Sequence, residues 1–348
     1  MGEKMKAIAI KAVGEVGVVE CEKPVAGPYE VLIRLKAVSL CTVEQRTFLG
    51  IKKFPFPFVG GHEGAGVVEA VGENVQSVKP GDHVVFDLVY CGQCDNCKLG
   101  RTTQCTGLGY AKPPLALEGT VLGGALAQYI VIPWVNVFKI DPAIDLEIAA
   151  LAEPCACCLH SVNKTRLAFG ETAVVIGAGF MGLLQAMLCR LRGARVIVSE
   201  PDAIRREKAM AMGVHITIDP RASDPVEQIR ALTGGQGADV VINTTPITAV
   251  WEQAIGMLAK GGRLIAYSSQ HPDEPVGIQF GSMHSKEAEF IGTVNPGAAD
   301  FVMAGRMMAY GLLDLRPLID GVYPFDEAET AFRRAASPDS YRVILKHD

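Results

Sequence analysis

Residues 171–200 constrain the fold more than any other part of the chain. A β-branched apolar run, Val174-Val175-Ile176, has the composition of a buried parallel strand. Gly177, Gly179 and Gly182 follow as G-x-G-x-x-G, and the apolar segment 183–191 has the length and pattern of a helix. A second strand at 195–199 ends at Glu200, eighteen residues past the last glycine. The first glycine permits a tight turn and the second lets the backbone approach a pyrophosphate. The third lets helix and strand pack closely. Phe180 and Met181 lie between the last two glycines, at the helix N-terminus where phosphates are held. A lone glycine motif is weak evidence. The strand before it, the helix after it and the acid at this distance make it a dinucleotide site.

A chain of 348 residues has room for two domains. Its 49% apolar and 20% charged residues describe a globular protein rather than a disordered one. Lys plus Arg number 33 against 38 Asp plus Glu, a net charge of −5 with no basic run. That balance argues against nucleic acid as a partner. The opening Met1-Gly2-Glu3-Lys4-Met5-Lys6 leads into a strand-like segment without a signal-peptide apolar stretch, and Lys6 stands where an N-myristoyl signal needs Ser or Thr. No run of about 20 apolar residues occurs. A cytoplasmic protein without a membrane partner is expected.

The two ends and the middle of the chain differ in pattern. The first 150 residues alternate as short strands, at 5–10, 30–38, 64–71, 84–86 and 127–132, with one short helix near 42–49. From about 155, strands at 172–176, 195–199, 215–218, 239–243 and 263–267 alternate with helices. Those helices fit 203–212, 225–233 and 248–260, the last stopped by Gly261-Gly262. Strands separated by such helices imply βαβ units and a parallel sheet. Beyond about 288 the pattern turns irregular, with helices at 301–310 and 325–336 and a closing strand at 342–346. This tail is expected to return to the first domain. The domains are therefore 1–154 with 289–348, and 155–288.

Ten cysteines in a protein of this kind point to metal or catalysis rather than to disulfides. Cys91, Cys94, Cys97 and Cys105 give C-x2-C-x2-C-x7-C, a spacing at which four thiolates can converge on one tetrahedral ion. Such a closed set stabilises a loop and does no chemistry; an iron–sulfur cluster could use the same ligands. A second group is dispersed: Cys41 after a strand, His62 and Glu63 at a turn, and Glu153 before the nucleotide domain. Each alone is unremarkable, but one Cys, one His and one or two carboxylates suit a catalytic zinc with an open position. Cys155, Cys157 and Cys158 read as small apolar packing at a helix start. Phe54-Pro-Phe56-Pro-Phe58 either lines a pocket or seals the core.

The chain resembles the zinc-dependent medium-chain dehydrogenase/reductase family, most nearly its polyol (sorbitol-type) dehydrogenases. The matching residues are 60–68 (Gly-Gly-His-Glu-Gly-Ala-Gly-Val-Val), 78–84 (Val-Lys-Pro-Gly-Asp-His-Val), the Cys91 to Cys105 loop, 124–129 (Gly-Ala-Leu-Ala-Gln-Tyr), Glu153-Pro154 and the nucleotide fingerprint, in the family's order over nearly the whole chain. The resemblance implies an α/β protein: a Rossmann doubly wound parallel-sheet domain plus a mainly β, GroES-like catalytic domain. It implies one structural zinc on the four cysteines, and one catalytic zinc at Cys41 and His62 with Glu63 or Glu153. It also implies a homodimer or homotetramer. Glu-Pro at 153–154 looks like the polyol, sugar-alcohol and threonine branch rather than the simple alcohol dehydrogenases. One departure stands out. The family's proton-relay Ser/Thr and His positions hold Val43 and Arg46 here, with Thr42 and Glu44 as the polar neighbours.

Zinc is a Lewis acid that acidifies a bound hydroxyl, and a nicotinamide supplies the redox chemistry. Reversible oxidation of a secondary alcohol to a ketone is the expected reaction, on a polyol or sugar alcohol that can be phosphorylated. A threonine-type or simple alcohol dehydrogenase is the alternative; a nucleotide-binding sensor or structural protein that has lost catalysis is one of another class. Glu200 is expected to bind the adenosine ribose diol and repel a 2′-phosphate, which favours NAD over NADP. Arg205 fits the family's adenine-side arginine, and Arg206 reads equally as a phosphate ligand or a salt bridge.

Overall fold

A computed structural model describes residues 2–107, 124–270 and 273–347. The chain forms two compact units, Met1–Ala156 with Pro296–Asp348, and Cys157–Asn295.

The first unit is organised on the strand Glu30–Ser39, whose apolar positions Val31, Ile33, Leu35 and Val38 are fully buried. It pairs antiparallel with Glu63–Val71, Tyr129–Pro133 and Arg342–Lys346. The sheet runs from Ile319–Pro324 through Arg342–Lys346, Glu30–Ser39, Glu63–Val71 and His83–Phe86 to Val137–Lys139. Its core gathers Ile8, Ile10, Ile33, Leu35, Phe58, Phe86, Leu126 and Phe332. Phe58 is buried and stacks on Phe54 with ring centroids 4.6 Å apart, so the aromatic–proline loop closes this core.

Two strands of this unit carry no clear sequence pattern. Glu15–Glu22 pairs antiparallel with Lys4–Ala12, yet none of its residues is fully buried, so no period of two marks it. Val137–Lys139 is three residues long and owes its place to pairing with His83–Phe86.

The second unit is a six-stranded, wholly parallel sheet in the order Ile216–Ile218, Arg195–Ser199, Thr172–Ile176, Ala238–Asn243, Leu258–Ala266, Glu289–Gly292. The first strand in sequence is central, and successive strands are laid down first to one side of it and then to the other, all in the same direction. That switch of sides opens a crevice at the strand's C-terminal end, where a doubly wound sheet binds its ligand.

The structure departs from the sequence pattern at two places in this unit. The helix expected over 248–260 is Val250–Gly256; the next strand starts at Leu258 and carries Gly261 and Gly262 within it. Met257 and Leu258 are buried against the sheet, and a register shift opposite 238–240 absorbs the extra glycine residues. The pair is a bulge rather than a helix stop. The segment just past 288, expected to be irregular, begins with the strand Glu289–Gly292. That strand extends the parallel sheet, which moves the end of the second unit to Asn295. Its half-exposed Phe290 hides the strand signal.

Candidate metal centres and nucleotide loop

Backbone register builds the first site. Ser39 pairs with Glu63 across the two antiparallel strands, so the chain leaving one strand meets the chain entering the other. Cys41 sits at the N-cap of the helix Thr42–Phe48. Gly61, at φ +93°, turns the backbone so that His62 precedes the strand Glu63–Val71. A side chain there would come within 2.7 Å of the Leu126 nitrogen. The result brings one donor atom each of Cys41, His62 and Glu63 within 4.8 Å of one another.

Two ion pairs hold this group, one of them buried on both sides. Glu44 lies three residues past Cys41, on the same helix face. Its Oε1 is 3.5 Å from His62 Nδ1 and accepts a hydrogen bond from the Gly61 N–H at 2.9 Å. Burial works against the Glu44 charge, but His62 and the Gly61 N–H outweigh it and hold the carboxyl below its usual range. Burial likewise opposes the imidazolium, while the charges of Cys41 and Glu44 raise its pKa well above normal. The negative field that keeps a proton on His62 is one that attracts a divalent cation. On the other side, Arg342 Nη2 donates to Glu63 Oε1 at 2.8 Å, and Glu63 Oε2 is buried without a hydrogen-bond partner.

Glu153, in the first turn of the helix Ala152–Thr165, stands outside this three-donor group. Burial first, and then the Glu153 charge, push the Asp87 carboxyl up to about 8. Asp87 Oδ1 accepts the Leu88 and Val89 N–H groups at 2.7 and 3.1 Å, and Oδ2 is buried and unpartnered. Thr42 is exposed, its hydroxyl 3.8 Å from Cys41 Sγ.

The four cysteines of the loop also converge, with sulfur atoms of Cys91, Cys94, Cys97 and Cys105 within 4.8 Å of one another. The Cys94 sulfur is 3.5 Å from that of Cys97 and 3.9 Å from that of Cys105. A tetrahedral ion with Zn–S bonds of about 2.3 Å needs sulfur–sulfur separations of about 3.8 Å. Backbone N–H groups of Gln93 and Cys94 point at Cys91 Sγ and hold that thiol below its usual range, whereas burial pushes the Cys97 thiol up to about 12 and raises that of Cys105. N–H groups of Cys97 and Thr106 lower the Cys94 thiol to about 5. This donor set fits a closed metal site.

In the second unit the strand Thr172–Ile176 runs into Gly177 at φ +98°, and the helix Phe180–Leu191 starts at Gly179. A Cβ on Gly182 would lie 2.0 Å from the Gly177 carbonyl oxygen, so only glycine lets helix and turn approach this closely. Glu200, buried at the end of its strand, accepts the Ala178 N–H at 2.7 Å and the Asp202 N–H at 2.9 Å. The acid is thereby tied to the glycine turn. A Cβ on Gly179 would meet an Arg205 guanidinium nitrogen at 3.6 Å, which places that side chain over the loop. Cys158 Sγ lies 3.7 Å from the Met181 carbonyl oxygen. Cys155 and Cys158 are fully buried, in keeping with a packing role.

Residues 27–142 match the model of the alcohol dehydrogenase GroES-like domain, and residues 181–309 match that of the zinc-binding dehydrogenases. The chain is similar to the L-threonine 3-dehydrogenase of Bacillus subtilis, with 32% identity over 98% of both chains. The chain belongs to the zinc-binding dehydrogenase family. A sorbitol dehydrogenase of the same organism shares 30% identity over 96% of this chain and 94% of its own. Among solved structures, a zinc-binding dehydrogenase of Sinorhizobium meliloti bound to NADP superposes with a TM-score of 0.88 at 28% identity, over 99% of each chain.

For a zinc-binding dehydrogenase, the four-cysteine loop and the nucleotide fingerprint are legible because their residues are close in sequence. Arg342 and Asp87 carry no sequence signal for a part in the site. Each is one charged residue in a strand or at its end, and only the sheet register brings Arg342 to Glu63. No helix among the described residues is long and apolar enough to cross a membrane.

Proposed function

We propose that this zinc-binding dehydrogenase reversibly oxidises a secondary alcohol of a polyol or sugar alcohol, phosphorylated or not, with NAD as hydride acceptor. The observation that carries this reading is the convergence of Cys41, His62 and Glu63, with one buried Glu63 oxygen left unpartnered. These donors, with Glu153 as the alternative carboxylate, would hold a catalytic zinc, and Cys91, Cys94, Cys97 and Cys105 a structural one. When bound, zinc supplies Lewis acidity at the alcohol hydroxyl, and the nicotinamide takes up hydride.

The chain's own residues do the rest. Glu44 fixes the imidazole of His62, and Arg342 keeps one Glu63 oxygen engaged. The N–H groups at the start of Phe180–Leu191 cradle a pyrophosphate. Glu200 accepts the ribose hydroxyls and opposes a 2′-phosphate, which supports NAD over NADP. With Val43 and Arg46 at the family's relay positions, Thr42 is the hydroxyl beside Cys41 that passes the alcohol proton to solvent. A homodimer or homotetramer is the assembly proposed, with Glu289–Gly292, one of the two edge strands of its sheet and bearing half-exposed Phe290, as an edge suited to pairing.

Glu153-Pro154 and the sorbitol dehydrogenase relative support the polyol reading. The threonine dehydrogenase relative supports an amino alcohol as the second. NADH formation across a panel of polyols, sugar phosphates, threonine and short alcohols separates them. Turnover confined to threonine or to short primary alcohols would overturn the polyol assignment. Metal analysis tests catalysis itself: two zinc ions per chain support it, and one confined to the cysteine loop points to an inactive binding protein.

A further inference from the structure

Two arginines meet beside Glu200. Arg206 Nη1 donates to the carbonyl oxygens of Glu200 at 2.8 Å and Pro201 at 2.7 Å, and lies 3.2 Å from Asp219 Oδ2. Arg221 also donates to the Pro201 carbonyl. Its Nε is 3.5 Å from Asp219 Oδ1, and its backbone N–H donates to the same oxygen at 2.9 Å. Asp219 follows the strand Ile216–Ile218, next to the strand that ends before Glu200; the Glu200 N–H donates to the Ile218 carbonyl at 3.1 Å. The Arg221 N–H and the two guanidinium groups hold the Asp219 carboxyl below the ordinary aspartate range.

The chemistry of this corner is ambivalent. A 2′-phosphate carries between one and two negative charges near neutral pH and is held by arginine, most firmly by a bidentate fork. Two guanidinium groups bonded to the main chain of Glu200 and Pro201 are the cations such a group would seek. Both are occupied, by carbonyl oxygens and by one shared carboxylate.

We propose that Asp219 is a specificity-determining residue acting through Arg206 and Arg221, tethering both guanidinium groups to the Glu200–Pro201 backbone so that neither turns to a 2′-phosphate. Discrimination against NADP is then double. Glu200 repels the extra phosphate, and Asp219 withholds the cations that would reward it. This inference rests on the NAD reading. It assigns to Asp219 a part that neither the glycine motif nor Glu200 plays.

The test is equilibrium binding to the full chain without substrate, by calorimetry with NADH and NADPH. Asp219→Asn is made in the wild type and in a Glu200→Gln background, with Asp219→Ser as the second choice should the first variant melt early. Against the Glu200→Gln parent, the double variant should bind NADPH at least fivefold more tightly, with NADH affinity moved less than twofold. The gain should shrink as salt is raised and vanish when Arg206 and Arg221 are both changed to alanine. Equal changes in both cofactors, or a gain that survives loss of the two arginines, would overturn the tether. The NAD reading fails separately: it is read in the wild type alone, where tighter binding of NADPH than NADH would defeat it.

Discussion

Arg342 Nη2 lies 2.8 Å from Glu63 Oε1, with the side chains 3% and 1% exposed. The two residues come from opposite ends of the chain. They meet because the strand Glu30–Ser39 pairs with both of theirs, Ile344 and Glu63 each lying opposite Ser39. Arg342 also donates to the Leu40 carbonyl at 3.2 Å, one residue before Cys41. A single guanidinium thus braces two sides of the candidate metal centre.

Removing one partner of a buried ion pair strands the other charge, at a cost of about 3–5 kcal/mol. Arg342→Met should lower stability by that amount in urea unfolding, with little change in the slope. A loss below about 1 kcal/mol would mean that the Glu63 charge is satisfied in some other way.

Glu44 holds His62 and has no place among the proposed ligands. Groups that orient a metal-bound imidazole typically govern metal affinity by about 10–100-fold. Glu44→Ala should weaken zinc retention by that factor in a competition with a chelator. The zinc of the cysteine loop should stay. In Cys94→Ser the pattern should invert, with the loop's zinc lost first.

Asp87 offers a pH signature in metal-stripped protein. Its folded-state value of about 8 lies above an unfolded value of about 4. Below pH 4 the carboxyl is protonated in both states and contributes nothing. Between about 4 and 8 only the folded state holds the proton, so stability falls as pH rises through that window. Asp87→Asn should flatten this decline in thermal melts taken at successive pH values. An unchanged slope would place the carboxyl in a more polar setting than its burial implies.

Burial pushes the thiols of Cys155 and Cys189 up to about 12. At pH 8 almost none of either is the reactive thiolate. Iodoacetamide followed by peptide mass spectrometry should leave both unmodified in the native protein and label both after denaturation. Labelling in the native state would contradict their packing role.

Gly182→Ala forces a methyl group to within 2.0 Å of the Gly177 carbonyl oxygen unless the backbone moves. The helix Phe180–Leu191 and the glycine turn would have to separate, and with them the phosphate cradle. NADH affinity should fall at least tenfold, with the zinc content unchanged. Retained affinity would place the pyrophosphate elsewhere.

The sequence by itself determined what neighbouring residues decide. The glycine spacing, the strand before it and the acid after it specified the parallel-sheet unit and its ligand class. Each is a local requirement for turn, helix start or alternation. The four cysteines could be read together for the same reason, within one loop of fifteen residues. Tertiary structure decided whatever depends on register. It joined Cys41 to His62 through the pairing of Ser39 with Glu63, brought Arg342 across the chain to Glu63, and placed Arg206 and Arg221 on one carboxylate. It also gave Glu15–Glu22 and Glu289–Gly292 their strand conformation, because each is a half-exposed segment whose hydrogen bonds come from a partner strand. A one-dimensional pattern reports which side of a residue is buried. It carries no record of which distant charge lies opposite, and that is what fixes the electrostatics of this site.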